Sequence, residues 1–504
     1  MALLQVRTEN GIVEGLPAGN QIVSLFKGIP FAKAPVGDLR WRAPQPVESW
    51  DGVYQAYKFA PIAMQPRFAS EGGNTLAAKE FYVVEFPRSE DCLYLNVWTP
   101  AKRADEKLPV AVYFHGGGFE TGYSYLNAYD GEGFAKRGIV FVSIAYRLNV
   151  FGFLATDELA EEDEHGSTGN YGTMDQTAGL QWVKRNIAAF GGDPDMITIF
   201  GQSAGGFSVM NLCASPLTDG LFSRAIMQSG GGISKTFSLN LRLDEAKKRS
   251  RDFLELAGVN TLAEARAIPA ERLVDLYEEF KKQTGISIPF APAVDGYVHP
   301  MLPAEYFLAG KHMVADTMIG STADEMRNRN ALLPEPERIQ ALASQYGAHA
   351  EEFLRAIHAD DKELCRKNFE DPVGDDMLSA SLAWCENQNR LGKNPAFMYY
   401  FTYVPPGAED IGAHHSVEHH YVFQTLVRSY RLYTGHDYDL SNQLAEYWAD
   451  FIKTGKPGAN HGVSWEPYTK EAPETLVIGE NCVMEQVHTS DKVKFVTKYN
   501  LLNE

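Results

Sequence analysis

The sequence predicts an α/β fold in which helices cover a large, mostly parallel sheet. Three observations carry that prediction. Short, near-continuous apolar runs recur through the chain, as expected of strands buried on both faces. Segments with apolar residues at helical spacing alternate with these runs, and such alternation with short turns implies parallel strands joined by helical crossovers. At one junction a serine stands between glycines, Gly201-Gln-Ser203-Ala-Gly205, after a strand-like run and before a helix-like one.

Leu108–Phe114 (LPVAVYF), Ile139–Tyr146 (IVFVSIAY), Met196–Phe200 (MITIF), Arg224–Ser229 (RAIMQS), Val314–Gly320 (VADTMIG) and Ala396–Tyr403 (AFMYYFTY) are the strand runs. Asp175–Phe190 carries the helical period and stops at Gly191-Gly192-Asp193-Pro194, a strong breaker. Two polar-rich helical stretches, about 241–282 and 335–390, interrupt the rhythm and are expected to be insertions near the functional edge of the sheet. With no repeat or linker in view, residues 1–504 are expected to form one domain. The opening segment, with Pro30, Pro35, Pro44 and Pro46, is expected to wrap the outside.

Composition narrows the function. Apolar content of 44% and charged content of 22% are those of an ordinary globular protein. A net charge of −19 argues against nucleic acid as a partner, because phosphate binding needs basic patches. The apolar runs fall far short of the roughly 18 residues that a membrane-crossing helix requires. The N-terminus lacks the pattern of a secretory signal. Cys92, Cys213, Cys365, Cys385 and Cys482 are odd in number and form no C-x-x-C pair, and no N-x-[ST] site is present. A reducing, cytoplasmic setting is the expectation, with a small molecule as partner and a monomer or weak homo-oligomer as the assembly.

The glycine-flanked serine suits a sharp strand-to-helix turn that lifts a hydroxyl above the sheet. Such a hydroxyl needs a base, and an acyl transition state needs oxyanion donors. Phe114-His115-Gly116-Gly117-Gly118-Phe119 directly follows the strand LPVAVYF, and its glycines let backbone N–H groups approach a substrate oxygen. Further motifs run from end to end: FKGIPFAKAPVGDLRWRAPQP (Phe26–Pro46), EDCLYLNVWTP (Glu90–Pro100), AYRLNVFGFL (Ala145–Leu154), GNYGTMDQ (Gly169–Gln176), PFAPAVDG (Pro289–Gly296) and GSTADE (Gly320–Glu325). With them the chain resembles the type-B carboxylesterase family of α/β-hydrolases over essentially its whole length.

The resemblance implies an α/β-hydrolase fold and a serine esterase without cofactor or metal. It assigns Ser203 as nucleophile, Glu325 as catalytic acid beside a non-catalytic Asp324, and Gly117, Gly118 and Ala204 as oxyanion donors. Met326 stands where the family usually has glycine. Arg147 and Asp175 match a structural ion pair. α/β-Hydrolases order their triad as Ser, acid, His, so the base must follow Glu325, where Ala413–Phe423 reads AHHSVEHHYVF. The family pattern G-A-x-H-x-x-E overlays Gly412–Glu418 with His415 as base and His414 in the variable position.

The same stretch offers a rival. His415-Ser-Val-Glu418-His419 fits the H-x-x-E-H spacing of zinc peptidases, with Glu446 a conceivable third ligand. Pro405, Pro406 and Gly412 place the helix start near Ser416, a natural N-cap. His415 then lies in a loop, and zinc would leave both glycine-rich motifs without a task. His419 and His420 are expected to be surface or packing residues. A second alternative comes from relatives that have lost the triad and act in adhesion; this chain retains every triad residue.

Substrate expectations follow from departures. Cholinesterases hold a quaternary ammonium on a tryptophan in the loop before the EDC motif, but no tryptophan lies between Trp50 and Trp98. Gln202 replaces their glutamate before the serine. Ala63 stands in place of the cysteine partner of Cys92. Choline esters are therefore not expected. Phe119, Gln202, Ile286 and Ile288 are the expected substrate-binding residues, with the isoleucines giving a roomier aliphatic pocket. Small to medium aliphatic or aryl esters fit.

Overall fold

A computed structural model describes residues 2–67, 79–80, 86–314, 316–407, 409–458 and 462–502. Ala315 and most of the loop before the EDC motif lie outside the described residues. Among the described residues, an eleven-stranded sheet forms the centre. Its strands are β1 (Leu16–Pro17), β2 (Ser24–Pro30), β3 (Tyr94–Thr99), β4 (Leu108–Phe114), β5 (Val140–Ile144), β6 (Gly192–Gln202), β7 (Arg224–Gln228), β8 (Asp316–Thr322), β9 (Phe397–Phe401), β10 (Thr475–Ile478) and β11 (Cys482–Glu485). Their order across the sheet is β11-β10-β9-β8-β7-β6-β4-β5-β3-β2-β1.

From β10 across to β5 every neighbouring pair is parallel, while both edges turn antiparallel. The expected runs all become strands, shifted by a residue or two at their ends, except that β6 begins four residues early, at Gly192, and takes in most of the expected breaker. The opening segment departs from expectation: Ser24–Pro30 is not an outer wrap but a largely buried strand paired with β3. Its alternation of Leu25, Phe26 and Ile29 around Gly28 supplies the apolar faces, and Pro30 falls at the strand end, where a missing donor is tolerated.

The helices that bear on function are α1 (Tyr171–Asn186), α2 (Ala204–Cys213), α3 (Leu243–Leu256), α4 (Ala270–Thr284), α5 (Pro336–Ser344), α6 (Pro372–Arg390), α7 (Glu418–Val422), α8 (Gly435–Thr454) and α9 (Asp491–Asn500). The predicted helix at 175–190 starts four residues earlier and tightens into a 3₁₀ turn at Ile187–Phe190 before the Gly191 cap. The stretch 241–282 holds α3 and α4, and 335–390 holds α5 to α6.

Val110, Val112, Phe114, Ile197, Ile199, Ala225 and Met227 are fully buried across the parallel centre. Each large side chain removed from water there contributes about 1.5–3 kcal/mol. Arg147 and Asp175 form the expected ion pair, two buried side chains joined at 2.8 Å by parallel N–H···O bonds.

The topology sets the site. β4 lies between β5 and β6, so the chain leaves β4 to one side and β6 approaches from the other. This reversal opens a crevice beyond the carboxyl ends of the strands, the usual ligand position in α/β sheets. Phe114, the last residue of β4, pairs with Gly201 near the end of β6. The two glycine-rich motifs are thereby neighbours.

Candidate active site

β6 ends at Gln202 and α2 begins at Ala204, which leaves Ser203 alone in the turn at φ 57° and ψ −129°. Few L-residues adopt that conformation, and surrounding contacts must hold it. They do: the Ser203 N–H donates to the Gln228 carbonyl (2.9 Å) and the Ser203 carbonyl accepts from the Phe207 N–H (2.9 Å). The glycines are there for space. A Cβ on Gly205 would run into the Phe114 carbonyl, one on Gly201 into Gly205, and one on Gly206 would lie 2.6 Å from the Gly230 carbonyl. Ser203 itself is half-buried, with access to the crevice.

The loop after β4 turns beside it. Gly117 and Gly118 have φ of 111° and 66°, values that side chains resist. Among the described residues their N–H groups meet no acceptor, and Ala204 presents an N–H at a helix start, where no intrahelical partner exists. The loop is pinned from three sides. Gln65 exchanges two hydrogen bonds with Gly122 (2.8 and 3.0 Å). Asn149 Nδ2 donates to the carbonyls of Met64 and Glu120. The Glu120 carboxylate accepts from Lys281 Nζ (2.7 Å) and from the Tyr277 hydroxyl, both on α4. His115 is buried, donates Nδ1–H to the Gly116 carbonyl at 2.8 Å, and is held neutral by burial down to about pH 4.

Glu325 follows β8 and is buried. Its Oε1 accepts from the Thr322 N–H (2.8 Å), and its Oε2 pairs with His415 Nδ1. Backbone bonds stitch the two loops together: His415 N–H to the Glu325 carbonyl (3.1 Å) and Asp324 N–H to the Ala413 carbonyl (3.1 Å). The Asp324 carboxylate adds a bond from the Ala413 N–H (2.9 Å) and is itself held by Arg327 at 2.8 Å. A Cβ on Gly412 would collide with that carboxylate. Burial opposes the charged form of His415, but the Glu325 carboxylate, aided by Glu418 and Asp371, more than offsets it and raises the pKa. Nε2 of the ring lies 3.2 Å from Gln202 Nε2.

The other histidines of the cluster have different partners. His414 donates Nδ1–H to the His415 carbonyl, and His419 donates Nδ1–H to the Ser416 carbonyl while its Nε2 accepts from the Tyr113 hydroxyl at 2.8 Å. His420 donates Nε2–H to the Glu80 carbonyl and accepts from Thr425. Burial lowers these three pKa values to about 4, 3 and 4 respectively. His419 and His420 are core packing, with no surface character. Ser416 is not the N-cap: it sits at φ 68°, and α7 is preceded by Val417 in helical conformation without a side-chain cap. The zinc arrangement does not assemble, because His415 faces Glu325, His419 faces Tyr113, and Glu446 pairs with Arg137 at 2.7 Å. Among the described residues no three His, Cys, Asp or Glu side chains form a group that could hold a metal.

Of the expected substrate residues, Ile288 reaches the loop, with Cδ1 3.5 Å from the point where a Gly118 Cβ would stand. Phe119 is buried against Phe153, Gln202 contacts His415, and Ile286 is half-buried just after α4. Ala63 and Cys92 line one small cavity, and all five cysteines are buried and unpaired.

Residues 2–496 match the model of the carboxylesterase family. The chain belongs to that family. It is 33% identical over 499 residues to fumonisin B1 esterase of Sphingopyxis macrogoltabida, covering 94% of this chain and 86% of the relative. It is also 33% identical over 503 residues to para-nitrobenzyl esterase of Bacillus subtilis, covering 97% of each. A solved thermophilic pNB esterase superposes with a TM-score of 0.84 at 30% identity, covering 98% of this chain and 99% of that one. The carboxylesterase therefore has the α/β-hydrolase fold and is a carboxylic ester hydrolase. No helix of the described residues is long and apolar enough to cross a membrane.

Sequence reasoning missed two supports of this site. Asp324 is expected only as a non-catalytic neighbour of Glu325, yet it ties the Glu325 loop to the His415 loop; its signal is Gly412, which has no room for a side chain beside it. Glu120 carried no signal at all, since its partners on α4 lie far along the chain.

Proposed function

We propose that Ser203, His415 and Glu325 form a catalytic triad that hydrolyses small to medium aliphatic or aryl esters through an acyl-enzyme. The observation that carries this reading is the pairing of His415 Nδ1 with buried Glu325 while Nε2 points to the Gln202–Ser203 turn. The carboxylate fixes the tautomer and stabilises the imidazolium.

In the first half-reaction Ser203 Oγ bonds to the ester carbonyl carbon as its proton passes to His415 Nε2. The carbonyl oxygen becomes an oxyanion bound by the N–H groups of Gly117, Gly118 and Ala204. Collapse breaks the bond to the alcohol oxygen, which takes the proton from Nε2. Water then gives its proton to Nε2 and attacks the acyl carbon, and Ser203 leaves with that proton. No cofactor is called for.

Ile288 beside Gly118 supports an aliphatic wall for the bound ester, and Phe119 supports the loop from beneath. The relatives' names, fumonisin B1 esterase and para-nitrobenzyl esterase, agree with ester hydrolysis, the second with an aryl-bearing ester. Buried, unpaired cysteines support a cytoplasmic enzyme, and we take residues 1–504 as one domain acting as a monomer or weak homo-oligomer. An aryl-ester assay tests the mechanism: Ser203→Ala is expected to lose on the order of 10⁴-fold or more in kcat. Turnover equal to the wild type would overturn it.

A further inference from the structure

We propose that Gln202 is a positioning residue for the base: its amide N–H caps His415 Nε2 in the substrate-free enzyme and holds the ring neutral, aimed at the Ser203 turn. The proposal rests on the triad reading above and reassigns a residue expected to bind substrate.

The geometry leaves Gln202 little choice. Its side chain is buried, wedged between the oxyanion loop, where Oε1 lies 3.6 Å from the position of a Gly116 Cβ, and the imidazole at 3.2 Å. Nδ1 of His415 faces the Glu325 carboxylate and must carry the proton. Nε2 of the neutral ring then has only a lone pair to offer, so the amide must present N–H to it and Oε1 to the glycine loop. That lone pair is the one Ser203 Oγ–H needs. The cap therefore has to give way when Ser203 donates its proton.

The chemistry of an amide matters here. Glu325 on the acid loop, Glu418 on α7 and Asp371 at the start of α6 all favour the imidazolium. His414 and His419, which flank the ring, stay neutral. A glutamate at 202, as cholinesterases carry, would add a further carboxylate beside the ring and favour the imidazolium more strongly. An N–H donor stabilises the unprotonated nitrogen instead. Gln202 thus opposes the pull of the acidic groups, Glu325 foremost, and extends the neutral base toward lower pH.

The test is the pH dependence of kcat/KM for p-nitrophenyl acetate, each variant normalised to its own alkaline plateau. Gln202→Glu is expected to move the acid limb up by about one unit or more, a tenfold loss at pH values below both limbs. Gln202→Met, which keeps the shape but not the donor, is expected to move it up by about half a unit. A limb within about 0.2 units of wild type for Gln202→Glu, or identical limbs for both variants, would overturn the proposal. Titration of His415 by NMR in Ser203→Ala protein, with and without Gln202→Glu, reads the same shift without turnover. Failure of the triad reading looks different: Ser203→Ala would remain active, whatever the limbs do.

Discussion

His415 and His419 lie one helical turn apart in sequence, the first half-buried and the second fully buried, yet their chemistry is opposite. His415 sits in a loop, faces a carboxylate, and is shifted toward the charged form. His419 sits on α7, donates to a carbonyl and accepts from a tyrosine hydroxyl, and is shifted strongly toward the neutral form. A carbonyl and a hydroxyl satisfy a neutral imidazole completely; a carboxylate satisfies an imidazolium. The comparison teaches that partner chemistry, not clustering, decides which histidine can move a proton.

The largest expected effect separates the two directly. His415→Gln is expected to lower kcat by on the order of 10⁴-fold or more, with little change in the urea midpoint. His419→Gln should leave kcat within about threefold, yet cost about 1–3 kcal/mol of stability, because it removes the imidazole acceptor of the buried Tyr113 hydroxyl. Paired kinetics and urea titrations check both. A His419 variant as inactive as the His415 variant, and still folded, would break the contrast.

Acid unfolding gives the next effect. His414, His419 and His420 have folded pKa values near 4, 3 and 4, below the ordinary value of about 6.5. Their contribution is whole above about pH 6.5 and is lost as pH falls toward 4, because the unfolded chain takes up the protons first. His415 runs the other way: its raised value favours the fold below about pH 6.5 and loses that contribution as pH rises through it. Glu418, raised to about 7 by burial and by the Glu325 charge, also favours the fold at the acid end. Single substitutions isolate the terms. His420→Gln should flatten the fall in stability between about pH 6 and pH 4.5 by about 1.4 kcal/mol per pH unit. Urea midpoints across that range check it, and an unchanged slope would mean that His420 is charged in the fold.

Much of this was legible in the sequence because the constraints are local. A turn that leaves no room for Cβ has to be written Gly-x-Ser-x-Gly, and strands covered on both faces have to be apolar throughout. The resemblance selects His415 through the family pattern over Gly412–Glu418, and the structure supplies a local reason for its glycine, since Gly412 abuts Asp324. What escaped was set by distant partners or by local conformation. The burial of His419 depends on Tyr113, and that of His420 on Glu80, each hundreds of residues away. Ser416 has the composition of an N-cap but a left-handed backbone, because the Glu325–His415 pairing fixes the chain just before it. The opening segment reads as a wrap on account of Pro30, Pro35, Pro44 and Pro46, whereas the pairing of Ser24–Pro30 with β3 is a tertiary fact.

The smallest effect is expected at His414, the neighbour that sequence position alone cannot distinguish from His415. Its ring is nine-tenths buried and donates to the His415 carbonyl at 2.9 Å, so it touches the proposed base only through the backbone. His414→Gln keeps a donor in reach of that carbonyl, and the bond between Asp324 and the Ala413 N–H is untouched. The expected loss in kcat is therefore within about fivefold, with KM unchanged, because a neutral hydrogen bond of this kind contributes about 0.5–1.5 kcal/mol. Steady-state kinetics on an aryl ester checks this. A loss at His414 as deep as that at His415 would mean that the two adjacent histidines act as one unit.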